Sequence, residues 1–297
     1  MWLEKDQFKI ELAPEQGALM RRLRWRDPSG HWHDLLRLPF TEGDVSGEPR
    51  RFGLWPLVPF ANRAFGAVMD DGVNRYHMPV NDPAMGATIH GFGWENAWVM
   101  TDKTPASLTM MHERKGEGEA DPYHYHAEMT VSILNDAVRI DISVMNRSNL
   151  RLPYGLGLHP WFPASADTRL ELRAEGELVL GEGYRAKGRK SFANGGPYAA
   201  GPVFRKPHEI AHSFLEWDGM ANIITGSTGL GMTITASPSL RHPVVWAPAE
   251  ADFLCIEPQS HSLGAPSEKS AREATPLAML ETGETLVGWM MISPRAL

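Results

Sequence analysis

YHYHAEMTVSILNDAVRIDISVMN, residues 123–146, reads as two alternating runs joined at Asn135-Asp136. Apolar residues recur at every second position, and successive side chains of a strand point to opposite faces, so each run predicts a half-buried strand. Asn and Asp tolerate the dihedrals of a tight turn, which makes 123–134 and 137–146 a β-hairpin.

The same period recurs outward from this hairpin, in FKIELA (8–13), ALMRRLRW (18–25), LELRAEGELVL (170–180), GMTITAS (231–237) and FLCIE (253–257). No amphipathic 3.6-residue pattern lasts beyond two turns, and prolines interrupt most apolar runs that could have supplied one. With 28 Gly and 23 Pro in 297 residues, turns are frequent. The expected fold class is all-β, a large antiparallel sandwich or barrel with few or no helices. No linker divides the chain, so 1–297 is read as a single domain. The turn-rich segment 181–202 is read as a long loop inside it, because β patterning resumes on both sides.

The net charge of −7 and the scattered basic residues exclude an electrostatic footprint for nucleic acid or an anionic membrane. One cysteine, Cys255, excludes an intrachain disulfide framework. The opening MWLEKDQFKIEL carries charges where a signal peptide needs an apolar core, and no run is long enough for a membrane-spanning helix. The expectation is a cytoplasmic protein, a monomer or homodimer.

Three segments carry ionisable groups in unusual settings. In LPYGLGLH (152–159) a strand puts Gly155, Gly157 and His159 on one face, and Pro160 holds the backbone of His159 extended at the strand's end. Glycines weaken a strand and are tolerated where backbone or ligand comes close. In FLCIEPQSH (253–261) Phe253, Cys255 and Glu257 share a face, and Glu257 likewise precedes a proline. Taken alone, His159 reads as a hydrogen-bonded core histidine and Glu257 as an exposed strand end; their parallel construction argues for more. In the third segment, Asn62-Arg63 follows a Pro-punctuated apolar run, and His90-Gly91 precedes Phe92 and Trp94. Arginine's planar fork suits hydroxyl or carboxylate oxygens, and aromatic faces suit the C–H faces of sugars.

In order and rough spacing, Asn62-Arg63, His90-Gly91, His159-Pro160-Trp161-Phe162 and Cys255-Ile256-Glu257-Pro258 resemble the motifs of the aldose 1-epimerase, or galactose mutarotase-like, family. The resemblance runs from about 50 to 292, ending in GETLVGWMMI (283–292), which is similar to the family's closing strand. It implies a β-supersandwich binding a small-molecule sugar on a concave sheet face. Glu257 would be the general base and His159 the general acid of anomer interconversion. His90 would donate a hydrogen bond near the ring oxygen, and Asn62 and Arg63 would hold hydroxyls. No metal or other cofactor is implied. Two departures stand out: Ala211 falls where the family usually has an aspartate, with Asp218 as a replacement or a turn former, and Trp161 stands where a tyrosine is usual.

Two further readings are of different kinds. A hexose-6-phosphate mutarotase would keep the same pair and need a basic pocket, for which Arg50-Arg51 is the candidate. A non-catalytic sugar-binding or sensor protein would keep the concave face without turnover. His124-Tyr125-His126 has the His-x-His spacing of some metal sites but lacks a carboxylate at the right distance, so no metal site is expected there. Asn146-Arg147-Ser148 fits a glycosylation sequon that has no meaning in a cytoplasmic protein.

Overall fold

The computed structural model describes residues 1–41, 50–116, 121–204, 208–249 and 251–297. The hairpin forms as the alternation requires. Strand Tyr125–Ile133 pairs antiparallel with Val138–Asn146, Ile133 facing Val138, and the N–H of Leu134 closes the turn on Ala137 O. Tyr125, Ala127, Met129, Val131 and Ile133 are buried together with Val138, Ile140, Ile142 and Val144, and all join the main core.

The other alternating segments are strands as well: Phe8–Ala13, Leu19–Arg26, Arg169–Leu180, Leu230–Ala236, Phe253–Glu257 and the closing Thr285–Ala296. Their ladders are antiparallel, as expected for an all-β supersandwich. Among the described residues one α-helix occurs, the short Lys269–Ala274. None is long and apolar enough to cross a membrane.

One long strand takes part in three ladders. Ile210–Thr225 pairs through Ile210–Ser213 with Val244–Ala247, and through Met220–Thr225 with Leu230–Ala236. Between those halves the pairing with Arg169–Leu180 shifts register, and Glu216 and Gly219 have positive φ. A bulge increases local twist and bends a strand, which lets the two halves of this one pair with different partners. Asp218 sits at that bend, exposed, its Oδ1 accepting from Met220 N at 3.1 Å. It shapes the turn.

Three readings of the sequence change. Residues 181–202 hold a strand, Ala186–Ser191, pairing with Arg169–Leu180. Its side chains are mostly exposed and basic, as edge strands often are, so it carries no apolar alternation. Pro160 does not end its strand, which runs Gly157–Pro163. Proline forfeits one bond on the 253–257 side, where the pairing resumes at Trp161 opposite Cys255, while Trp161 N donates to Gly53 O on the other edge. The side chain of Asn146 is buried, its Nδ2 donating to Leu150 O and Leu280 O, so the sequon is structural.

Because Ile140 is fully buried in the hairpin, Ile140→Ala is expected to cost about 2–5 kcal/mol in urea unfolding, and Ser143→Ala, on the outer face, less than about 1 kcal/mol.

Candidate active site

Five strands lie side by side in the order Leu54–Leu57, Gly157–Pro163, Phe253–Glu257, Val244–Ala247 and Ile210–Ser213. Their registers generate rows of neighbouring side chains across the sheet. Trp55 faces His159 directly. Trp161 faces Cys255, and two residues along the same ladder His159 lies beside Glu257. Glu257 in turn faces Val244. The resulting concave face floors a cleft of about 660 Å³, lined also by Asn62, Arg63, Asp82 and His90.

The five residues singled out in the sequence therefore converge on this one cleft. His159 Nε2 and Glu257 Oε1 lie 3.4 Å apart, with the side chains 6% and 4% exposed. The imidazole stacks on Trp55 and Trp161, at ring-centroid distances of 4.3 and 5.0 Å. The other oxygen of Glu257 accepts from Gln259 Nε2 at 2.9 Å. Burial pushes the Glu257 carboxyl up to about 8 and the His159 imidazole down to about 3, because removal from water disfavours either ion. The pair then rests neutral with a single shared proton, as many as a carboxylate with an imidazolium would hold.

The polar wall comes from a loop pair. Strand Arg63–Phe65 pairs with Ala87–Ile89, and just outside that ladder Asn62 and His90 both have positive φ, 57° and 59°. Asparagine visits this region readily; histidine is held there by its contacts. His90 N donates to Asn62 O at 2.9 Å, and Asn62 N donates to His90 Nδ1 at 3.0 Å. With Nδ1 accepting, the ring proton sits on Nε2, and burial keeps the ring neutral. Asn62 Oδ1 accepts from Arg63 N at 2.9 Å, so its amide NH₂ is the end left for a ligand. Arg63 Nε donates to Asp82 Oδ2 at 2.8 Å. Gly91, at φ 63°, lies so close to Val58 that a Cβ would meet Val58 O at 2.2 Å.

The glycines of LPYGLGLH make room for protein. A Cβ on Gly155 would strike the ring of His261 at 2.3 Å, and one on Gly157 would press Gln259 Cγ at 3.1 Å. Gln259 is the residue that holds Glu257, and His261 Nε2 accepts from Ala61 N, next to Asn62. So the space the glycines leave on that face is filled by Gln259 and His261, which brace the site from the side.

Sequence reasoning did not find Trp55, Asp82, Gln259 or Trp246. Gln259 alone left a signal, two residues beyond Glu257. Trp246 lines the cleft with its indole N–H donated to Glu209 Oε1, which also accepts from Tyr184. Ala211 does face the cleft, opposite Trp246, so no carboxylate stands at that place. His212, the next residue, also borders the cleft and is bonded through Nδ1 to Glu177 at 2.6 Å. Arg51 reaches the cleft, whereas Arg50 donates to Trp94 O at 2.8 Å, so the two arginines do not form one clamp. His159, Cys255 and Glu257 place ligand-type atoms within 4.8 Å of one another. Burial pushes the Cys255 thiol well up, which keeps it protonated. His124 lies outside the strand that begins at Tyr125 and approaches Glu113 at 3.5 Å.

The family model for aldose 1-epimerase matches residues 4–293. The chain belongs to the aldose 1-epimerase family. Among curated proteins it is 27% identical over 302 residues to the uncharacterized protein YphB of Escherichia coli K12, covering 98% of this chain and 97% of that one. Among solved structures it resembles a galactose mutarotase-like protein of Clostridium acetobutylicum, with TM-score 0.84, 20% identity, and 100% and 95% of the two chains covered. A GalM/aldose epimerase homologue from C. elegans gives TM-score 0.81 at 16% identity, with 100% and 98% covered. These likenesses establish the fold, and the family implies a sugar substrate.

A carboxyl raised above its ordinary 4.5 binds a proton in the folded state between about 4.5 and 8 that the unfolded chain has released. Its stabilising contribution is present below about 4.5 and is lost as pH rises through about 8. Glu257→Gln is therefore expected to melt higher than wild type at pH 9, with the difference shrinking toward pH 5 in thermal scans.

Proposed function

We propose that this chain is an aldose 1-epimerase acting on a free aldose, with residues 1–297 as one catalytic domain. The observation that carries the reading is the buried His159–Glu257 contact, 3.4 Å long, on the floor of a cleft with hydrogen-bond donors on its opposite wall. Anomer interconversion removes the proton of the C1 hydroxyl while the ring oxygen gains one, so that the C1–O5 bond opens. The aldehyde carbon then rotates and the ring recloses on its other face. Protons and electrons balance within the sugar and one acid–base pair, and the chemistry calls for no cofactor.

In this reading Glu257 takes the C1 proton and His159 delivers one to the ring oxygen. The two exchange roles on closure. Arg63 favours the Glu257 carboxylate, and the oxygens of a bound sugar would favour the His159 imidazolium, which together offset the burial that disfavours both ions and let the proton pass from Glu257 to His159 as substrate binds. His90 Nε2–H, Asn62 and Arg63 orient the sugar. Each positioned acid or base of this type contributes about 10²–10⁴-fold.

Polarimetry of freshly dissolved α-D-glucose and α-D-galactose tests the reading. Glu257→Gln and His159→Gln are each expected to lose about 10²-fold or more of the background-corrected rate while keeping a cooperative melt. Equal rates for wild type and Glu257→Gln would overturn it. Tight sugar binding in calorimetry with no acceleration would instead indicate a non-catalytic binder. Glucose 6-phosphate turned over in preference to glucose would select the phosphosugar reading, with Arg51 as the anion contact.

The pH profile is a second check. The pair works with one proton, which is lost above the raised pKa of about 8 and joined by a second near about 3. The expected kcat/KM is level through neutral pH and falls about tenfold per unit above about 8. A rising limb centred near pH 6.5, the signature of an isolated imidazole, would contradict the shared-proton assignment.

A further inference from the structure

The cleft floor carries a second row of side chains, one pleat along from His159 and Glu257. Trp161 faces Cys255, Cys255 faces Trp246, and Trp246 faces Ala211, with Leu180 the next along on the neighbouring strand. Successive same-face positions on a strand are about 7 Å apart, so this row runs alongside the acid–base row at about the width of a pyranose ring. A sugar with its anomeric carbon between His159 and Glu257 can lay an edge on it.

No side chain in that row offers a sugar hydroxyl a strong hydrogen-bond acceptor. The Trp246 indole N–H is already given to Glu209 at 3.0 Å. Cys255 is a buried, protonated thiol, and Ala211 and Leu180 are hydrocarbon. Trp161 Nε1 is buried without a partner and can only donate. Of the polar groups lining the cleft, Asn62, Arg63 and His90 stand on the loop pair, away from this row. Away from Trp161 Nε1, a hydroxyl pressed onto this row leaves water without gaining a strong acceptor, whereas a methyl or methylene loses nothing.

We infer that the substrate is a deoxy-aldose, whose deoxygenated carbon lies on the apolar surface of Trp161, Trp246, Ala211 and Leu180, the members of the row that line the cleft. This rests on the mutarotase reading for the placement of the anomeric carbon and adds to it the chemical class of the sugar. A hydrophobic surface discriminates against an added hydroxyl by at most about 10²-fold, which sets the size of the effect to be measured.

The experiment compares matched pairs, D-galactose with 6-deoxy-D-galactose and D-glucose with 6-deoxy- and 2-deoxy-D-glucose, by both calorimetry and polarimetry. At least one deoxy sugar is expected to exceed its parent about tenfold or more in affinity and in kcat/KM. Ala211→Asp, which places an acceptor in the row, is expected to cancel or invert that ratio, with Ala211→Asn as the milder variant should the aspartate prevent folding in thermal melts. Parent sugars bound as well as, or better than, every deoxy partner would overturn the inference, as would a preference unmoved in both folded variants, or no binding of any of the sugars. Binding keeps the two readings separable. If no sugar's mutarotation is accelerated, the mutarotase reading fails, and the ratio of dissociation constants still decides for or against a deoxy edge.

Discussion

Strand Gly157–Pro163 is hydrogen-bonded on both edges, to Leu54–Leu57 on one side and to Phe253–Glu257 on the other, and the site depends on that double register. It alone brings Trp55, His159 and Glu257, far apart in sequence, into one row. Side chains alternate with period two, so a slip of one residue on either edge would send its partner to the opposite face. The Gly157 and Gly155 positions protect the arrangement, since side chains there would collide with Gln259 and His261.

Burial then sets the chemistry. A carboxylate and an imidazolium in water would each hold an ordinary charge; walled by Trp55 and Trp161 and removed from solvent, both ions become costly. Proximity tempers the cost, because one proton moving over a few ångströms converts the neutral pair into the ion pair without exchange with solvent. Gln259 restrains the rise of the Glu257 pKa by donating to Oε2, which lowers it against the desolvation that dominates.

How much of this could be read in the sequence depended on whether a residue's neighbours were local. The hairpin, the strands at 8–13 and 253–257 and the absence of long helices followed from alternation within a few residues. The edge strand Ala186–Ser191 did not, since an exposed basic edge has no core face to write into its pattern. His159, Glu257, Asn62, Arg63 and His90 were legible because short motifs surround each one. Trp55 was not, because its part in the site lies in its register opposite His159, and nothing in GLWPL announces that register. Asp82 is tied to Arg63 across nineteen residues by a fold of loop that no periodicity describes. The tautomer of His90 was equally hidden, being fixed by a backbone N–H that faces it only because two residues adopt positive φ together.

The two halves of the cleft are built on different principles. Proton transfer tolerates little misplacement, and its two groups stand on central strands whose ladders fix them on both sides. Hydroxyl recognition rests on Asn62, Arg63 and His90, in a small loop pair anchored by a few hydrogen bonds and by the close approach of Gly91 to Val58. A substitution in the loop pair or in the apolar row changes which sugar is held without disturbing the ladder that joins His159 to Glu257. Ala211 illustrates this: it alters the surface a sugar edge meets, while Val244, on the strand between it and Phe253–Glu257, still faces Glu257 in register. The fold can therefore keep one acid–base pair and vary its substrate by exchanging side chains one strand, or one pleat, away.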